Sequence, residues 1–187
     1  MVKKRTCVFI SGKGSNLKNL IFHSRDHSFP IKICLVVCNN KNATGINYAK
    51  KYKIPYIFIN TNLKNYETKI YYNLKKYKIS FICLAGFMKI ISDSIIKYYQ
   101  GKIINIHPSL LPKFKGLNTF SRMLESNEKK AGCTVHYVNN KLDDGSTIIQ
   151  KRFTICKDDN KKTLKSKTQK LEYKAFPEAI IKIFRYI

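Results

Sequence analysis

Tryptophan is absent from the 187 residues, so 11 Phe and 12 Tyr must supply the large side chains of any core. Acidic groups are scarce: 11 Asp+Glu stand against 36 Lys+Arg, a formal net charge of +25. No apolar run reaches the roughly 18 residues a membrane-spanning helix needs, and the longest are broken by Lys within strand length. A membrane is therefore not an expected partner. The opening Met1-Val2-Lys3-Lys4-Arg5 imitates the charged start of a secretory signal, but Cys7-Val8-Phe9-Ile10 is too short for its apolar region. The segment reads instead as a strand opening a cytoplasmic domain. The six cysteines (Cys7, Cys34, Cys38, Cys83, Cys133, Cys156) lack both paired zinc-site spacing and the density of a disulfide scaffold. Reduced core thiols are expected. Cys34 and Cys38 fit one strand face, but no His or further Cys lies near enough in sequence to complete a metal site, so no metal is expected.

What is present suits one globular domain spanning residues 1–187, with 44% hydrophobic and 12% aromatic residues. The basic surplus by itself suggests a polyanion such as RNA. Yet Lys, Asn, Ile and Tyr are abundant together, and all four have codons rich in A and T. The charge is read as an imprint of that bias on solvated faces. No RNA-binding motif accompanies it, so nucleic acid is not the expected partner.

Short β-branched and aromatic runs alternate with helix-like segments up to about residue 106, the pattern of an α/β, doubly wound, mostly parallel sheet with flanking helices. Strands are predicted near 5–11, 31–38, 55–59, 79–84 and 102–106, and helices near 15–26, 44–52, 64–77 and 92–99. Right-handed crossovers would place helices on both faces. Residues 107–118, rich in Pro, Leu, Lys and Gly, read as an ordered functional loop. A short helix near 119–127 follows. Two late strands near 132–138 and 146–155, possible antiparallel partners, flank a polar turn from Asn139 to Gly145, and a last helix begins near Lys162.

Three segments have chemistry to offer. Ser11-Gly12-Lys13-Gly14-Ser15-Asn16 lies where the first strand meets the first helix, where glycines allow close backbone approach and the helix N-terminus favours an anion. A plain turn with Ser15 or Asn16 as N-cap explains it equally well. The spacing matches neither dinucleotide nor nucleotide loops. Asn105-Ile106-His107-Pro108-Ser109-Leu110-Leu111-Pro112 sits at the carboxyl end of a predicted strand, where open α/β sheets bind ligands. Alternation sends Asn105 and His107 to one side, a proton-transfer group beside a carboxamide donor. An isolated histidine there more often caps a turn. The third segment joins His136 to Asn139, Asn140, Lys141, Leu142, Asp143, Asp144 and Gly145. An Asp buried beside a catalytic His would raise its pKa, whereas the same stretch also reads as a β-turn with solvated aspartates. Spacing leaves both open.

Together these segments closely resemble the glycinamide ribonucleotide formyltransferases, in the same order and over nearly the whole chain. The match runs through Ser11 to Asn16, Leu84-Ala85-Gly86-Phe87-Met88-Lys89, Asn105 to Pro112, and Gly132-Cys133-Thr134-Val135-His136 followed by Leu142-Asp143. The resemblance implies a Rossmann-like fold and transfer of a formyl group from 10-formyltetrahydrofolate to glycinamide ribonucleotide in purine synthesis, without a metal. It implies a catalytic trio of Asn105, His107 and Asp143. Gly14, Ser15 and Asn16 would bind the substrate phosphate, and Gln169, Lys170, Leu171 and Glu172 would contact the ribonucleotide, Glu172 being the most plausible polar contact. Met88, Lys89, Ile90 and Ile91, with Asn105, His136, Asn139, Asn140, Lys141, Leu142 and Asp143, would line the folate site.

The sequence departs from that family at Lys13 (usually Asn), at Lys89 (commonly Arg), and at Lys115-Gly116-Leu117-Asn118-Thr119-Phe120, where Pro-Gly-Leu-His-Thr-His is usual. Asp143-Asp144-Gly145 replaces Asp-Gly-Gly, and spacing from His136 favours Asp143 as the catalytic carboxylate. The tail is short. Methionyl-tRNA formyltransferase shares the His-Pro-Ser-Leu-Leu-Pro segment but carries a further C-terminal domain for which this chain has no room. Formyltetrahydrofolate deformylase would need a regulatory domain before the first strand, and a non-catalytic RNA- or anion-binding module would not need the Asn105, His107 and Asp143 set. No oligomeric state is assigned.

Overall fold

The computed structural model describes residues 2–185. Seven strands lie in one sheet in the order β3-β2-β1-β4-β5-β6-β7. The chain divides into two compact units after Ile104, inside β5.

The first unit holds β1 (Lys4–Ile10), α1 (Ser15–Ser24), β2 (Ile31–Cys38), α2 (Ile46–Lys51), β3 (Tyr56–Phe58), α3 (Tyr66–Lys76), β4 (Phe81–Leu84), α4 (Asp93–Tyr98) and the start of β5 (Ile103–His107). β1 pairs in parallel with β2 on one side and β4 on the other, and β2 with β3. Cys7, Val8, Phe9 and Ile10 are all fully buried. Successive strand residues point to opposite faces, so both faces of β1 are covered, and the run is accordingly apolar without alternation. α1 forms because Leu17, Leu20 and Ile21 recur at helical spacing and are buried together with Asn16.

In the second unit, α5 (Thr119–Glu125), β6 (Lys130–Tyr137), β7 (Thr147–Thr154) and α6 (Lys161–Phe184) follow the loop after β5. β6 and β7 are antiparallel, Thr134 lying opposite Gln150, with a register shift between Val135 and His136. α6 packs on both strands. Its buried residues Leu164, Thr168, Ala175, Phe176, Ala179, Ile180 and Phe184 trace one helical stripe, with Pro177 buried beside it. Asn160 closes a capping box: its side chain accepts from Lys162 N and Thr163 N, and Thr163 Oγ1 accepts from Asn160 N at 2.8 Å. That cap starts the helix one residue before the predicted Lys162.

The predicted elements are all present, their ends displaced by at most two residues. Two differences matter. The strand predicted over 102–106 is β5, Ile103–His107, so His107 ends the strand rather than opening the loop. Cys156 is exposed beyond β7, while the other five thiols are buried and all six are free. No described helix is long and apolar enough to cross a membrane.

Candidate active site

Asn105 and His107 stand two residues apart on β5 and so project from the same side. β6 supplies His136, and the connection between β6 and β7 supplies Asp143. Asp143 adopts a left-handed backbone, φ 48°. Asp tolerates that region better than most L residues because its short polar side chain bonds locally, and backbone of this kind is common at functional sites. The conformation delivers a carboxylate with only 8% of its surface exposed.

Asp143 divides its two oxygens between two sets of donors. Oδ2 lies 3.2 Å from His107 Nδ1 and accepts from the Gly116 N–H at 2.9 Å. Oδ1 accepts from Asn105 Nδ2 at 3.3 Å and lies 3.6 Å from His136 Nε2. Burial alone would push the Asp143 pKa up, but the neighbouring His136 ring, the Gly116 N–H and the charge of His107 together hold it below the ordinary carboxylate value.

His107 is 5% exposed, and its Nε2 lies 2.9 Å from the Phe114 carbonyl. Both ring nitrogens face groups that only accept, so only the imidazolium bonds to both at once. Burial nevertheless outweighs the upward pull of Asp143 and Phe114, and the His107 pKa lies below the ordinary 6.5. The sequence led to the opposite expectation. Asp143 does pull the pKa up, but desolvation of the ring pulls it down further.

His136 is 2% exposed, its Nδ1 lying 2.8 Å from the Tyr137 carbonyl. Nδ1 therefore donates there in the neutral ring, leaving Nε2 to accept from Asn105 Nδ2 at 3.2 Å. Both amide hydrogens of Asn105 thus have acceptors, and the half-buried carboxamide is held in one orientation. Asp144 points elsewhere, forming an ion pair with Lys115 at the surface. Spacing from His136 favours Asp143, and the structure likewise places Asp143, not Asp144, against the two histidines.

The loop after β5 is held by its own polar groups. Ser109 Oγ donates to Lys113 O at 2.6 Å, and the fully buried Thr134 donates to Ser109 O at 2.7 Å. A cis bond joins Leu111 to Pro112. Asn118, one of the departures noted above, sits at φ 55° as the N-cap of α5, a conformation Asn accepts readily.

In the first unit, the glycine-rich turn ends in Gly14, the left-handed N-cap of α1 with φ 68° and no side-chain cap. Neither Ser15 nor Asn16 is the N-cap. α1 has no acidic residue in its first turn, and its N-cap Gly14 has no side chain to offer, which suits an anion. Lys13 is exposed beside it. The Met88 N–H donates to Ser11 Oγ at 2.8 Å, tying the 84–91 segment to this turn. Met88, Lys89 and Ile90 stand exposed, whereas the Ile91 side chain is buried in the core.

The sequence profile described as Formyl transferase matches residues 4–180. The chain belongs to the formyl transferase family. It is 37% identical over 181 residues to the phosphoribosylglycinamide formyltransferase of Haemophilus influenzae, covering 95% of this chain and 85% of that protein. It is also 41% identical over 184 residues to the trifunctional purine biosynthetic protein adenosine-3 of Drosophila pseudoobscura, but spans only 14% of that relative's length. Among solved structures, the phosphoribosylglycinamide formyltransferase of Bacillus halodurans superposes with a TM-score of 0.93 at 32% identity, covering 98% of this chain and 96% of that one.

Within this formyl transferase, the sequence-predicted residues fall into separate groups. Asn105, His107, His136 and Asp143 meet directly in the second unit. Asn139, Asn140, Lys141 and Leu142 form the exposed turn leading into Asp143, where Asn139 Oδ1 accepts from Lys141 N at 3.0 Å. Gln169, Lys170, Leu171 and Glu172 lie on α6. Glu172 is close enough to Cys133 to add to the burial that pushes that thiol up to about 12. Gly14, Ser15 and Asn16, with Met88 to Ile91, belong to the first unit.

Several contributors were not singled out from sequence. The Phe114 carbonyl and the Gly116 N–H are backbone groups and carry no residue-type signal. Gly45 is another: a Cβ there would stand 2.8 Å from both Gly12 O and Gly14 Cα, so only glycine permits this approach to the turn. Thr134 lay inside a quoted motif, and Gln150 had no signal beyond its place on a predicted strand.

Proposed function

We propose that the chain transfers the formyl group of 10-formyltetrahydrofolate to the amine of glycinamide ribonucleotide, a step of de novo purine synthesis in the cytoplasm. The observation that carries this reading is the Asp143 carboxylate holding His107 with one oxygen and Asn105 with the other, in a family member 37% identical to a named phosphoribosylglycinamide formyltransferase.

The cosubstrate supplies the one-carbon unit. The substrate amine forms the new C–N bond, the donor's C–N bond breaks, and the proton lost by the amine ends on the tetrahydrofolate nitrogen. Asn105 exchanges one of its two present acceptors for the formyl oxygen and stabilises the charge that develops there. His107 carries the proton, a task suited to a ring whose partners favour the charged form while burial favours the neutral one. Asp143 holds that ring. Gly14, Ser15 and Asn16 at the α1 N-terminus take the phosphate, and Gln169 to Glu172 contact the ribonucleotide. The folate is received by Met88, Lys89, Ile90 and Ile91 and by the turn from Asn139 to Asp143, with His136 acting through Asn105. Met88 and Ile90, 62% and 74% exposed, are apolar side chains available to such a ring system, whereas Ile91 can offer only its backbone.

Purified protein is to be given 10-formyltetrahydrofolate with glycinamide ribonucleotide, charged initiator tRNA or water in parallel. Formylation of the ribonucleotide is the expected result. Formylation of the tRNA alone, or formate release without an acceptor, would overturn the reading.

A further inference from the structure

Gln150 lies on β7, far from the catalytic signature in sequence, yet its carboxamide bonds both to the loop that follows His107 and to Thr134 on β6, which itself holds that loop. Nε2 donates to the Leu111 carbonyl at 2.8 Å and to Thr134 Oγ1 at 3.0 Å. Thr134 Oγ1 in turn accepts from the Leu111 N–H at 3.1 Å and donates to the Ser109 carbonyl at 2.7 Å. The Leu111 amide is therefore held at both its N–H and its C=O by this cross-strand pair. The loop continues from Leu111 to Lys113, whose carbonyl takes Ser109 Oγ, and then to Phe114, whose carbonyl faces His107 Nε2. Apart from the Gln150–Thr134 bond, each link ends on loop backbone, so the loop's path fixes where the Phe114 carbonyl stands.

We propose that Gln150 is a positioning residue for proton transfer, acting through Thr134 and Leu111 to hold the Phe114 carbonyl against His107. Gln150 is an exposed residue outside the buried core, and its contribution to the loop is its bonds to Leu111 and Thr134. Sequence register makes this possible: Gln150 and Thr134 are direct partners across β6 and β7, and a side chain of that length reaches past the threonine to the loop. This inference rests on the proposed formyl transfer for its catalytic consequence, but not for its structural one.

The test compares Gln150→Leu and Gln150→Met, which remove the donors with little change in size and add no charge, with the wild-type protein. His107 is followed first by NMR titration of its ring without substrate. The other charged or titratable groups acting on that ring are Asp143, His136 and Arg122, and they are unchanged in both variants. The Phe114 carbonyl supports the imidazolium, so its displacement should move the His107 titration to lower pH. Displacement of that carbonyl should lower kcat by roughly five- to tenfold, with KM for the ribonucleotide unchanged. Folded variants that keep the wild-type titration and kcat, or that raise KM with kcat intact, would overturn the proposal. Because the titration needs no turnover, its failure is distinct from failure of wild-type formyl transfer.

Discussion

Asp143 Oδ2 lies 3.2 Å from His107 Nδ1, and the carboxylate's other oxygen is already engaged by Asn105. One buried charge therefore fixes the orientation of the His107 ring and of the amide beside it.

Asp143→Asn removes the larger of the two upward pulls on His107 and leaves burial, so a pKa already below 6.5 should fall further. The limb of the pH–rate profile assigned to His107 should move to lower pH. Activity near neutrality should drop by about 10²–10⁴-fold, the usual contribution of general acid–base catalysis. Steady-state kinetics across pH, with circular dichroism to verify folding, measures both.

Asp144→Asn breaks only the surface pair with Lys115. Exposed pairs are screened by solvent and contribute little, so kcat and the pH profile should remain those of the wild type. If Asp144→Asn abolished activity while Asp143→Asn did not, the carboxylate assignment would be wrong.

Stability should also record His107. In the unfolded chain the ring titrates near 6.5, and in the fold it titrates lower. The unfolded state therefore binds more protons between these values, and stability should decline as pH falls through that window. Asp143, whose folded pKa is depressed below 3.8, adds stability above that value that is lost as pH falls through its folded pKa. Thermal unfolding against pH should show the first decline in the wild type and a smaller one in His107→Asn.

Gly45→Ala places a methyl group 2.8 Å from Gly12 O and 2.9 Å from Gly14 N, so the glycine-rich turn must shift. Overpacking of this kind costs about 1–3 kcal/mol. Binding of glycinamide ribonucleotide, read by calorimetry, should weaken more than folate binding. Ser15→Ala combined with Asn16→Ala should do the same, since hydrogen bonds to a charged group are each worth roughly 1.5–3 kcal/mol. Equal weakening of both ligands would remove the turn from phosphate recognition.

Asn160→Ala removes the side-chain half of the α6 capping box. Such losses typically cost about 1 kcal/mol. Chemical denaturation should show that decrease without a change in the His107 titration.

The parallel half of the fold was legible because covered strands advertise themselves. Cys7 to Ile10 and Ile33 to Cys38 are apolar without alternation, and helical spacing of Leu17, Leu20 and Ile21 follows the first strand. The Asn105 and His107 pair was legible for a similar reason: strand alternation alone puts them on one side. The sequence by itself thus determined the order of elements, the glycine-rich turn, the residue types brought to the carboxyl end of β5, and the family.

Only the tertiary structure decided how those groups act. Left-handed backbone at Asp143 accompanies a carboxylate turned toward His107 while Asp144 turns to Lys115; spacing favours Asp143 but does not give that direction. The partners Phe114 C=O and Gly116 N–H are backbone atoms that every residue type carries, so no sequence pattern reveals them. The direction of the His107 pKa reversed the expectation because desolvation depends on everything packed around the ring, whereas sequence displayed only the neighbouring charge.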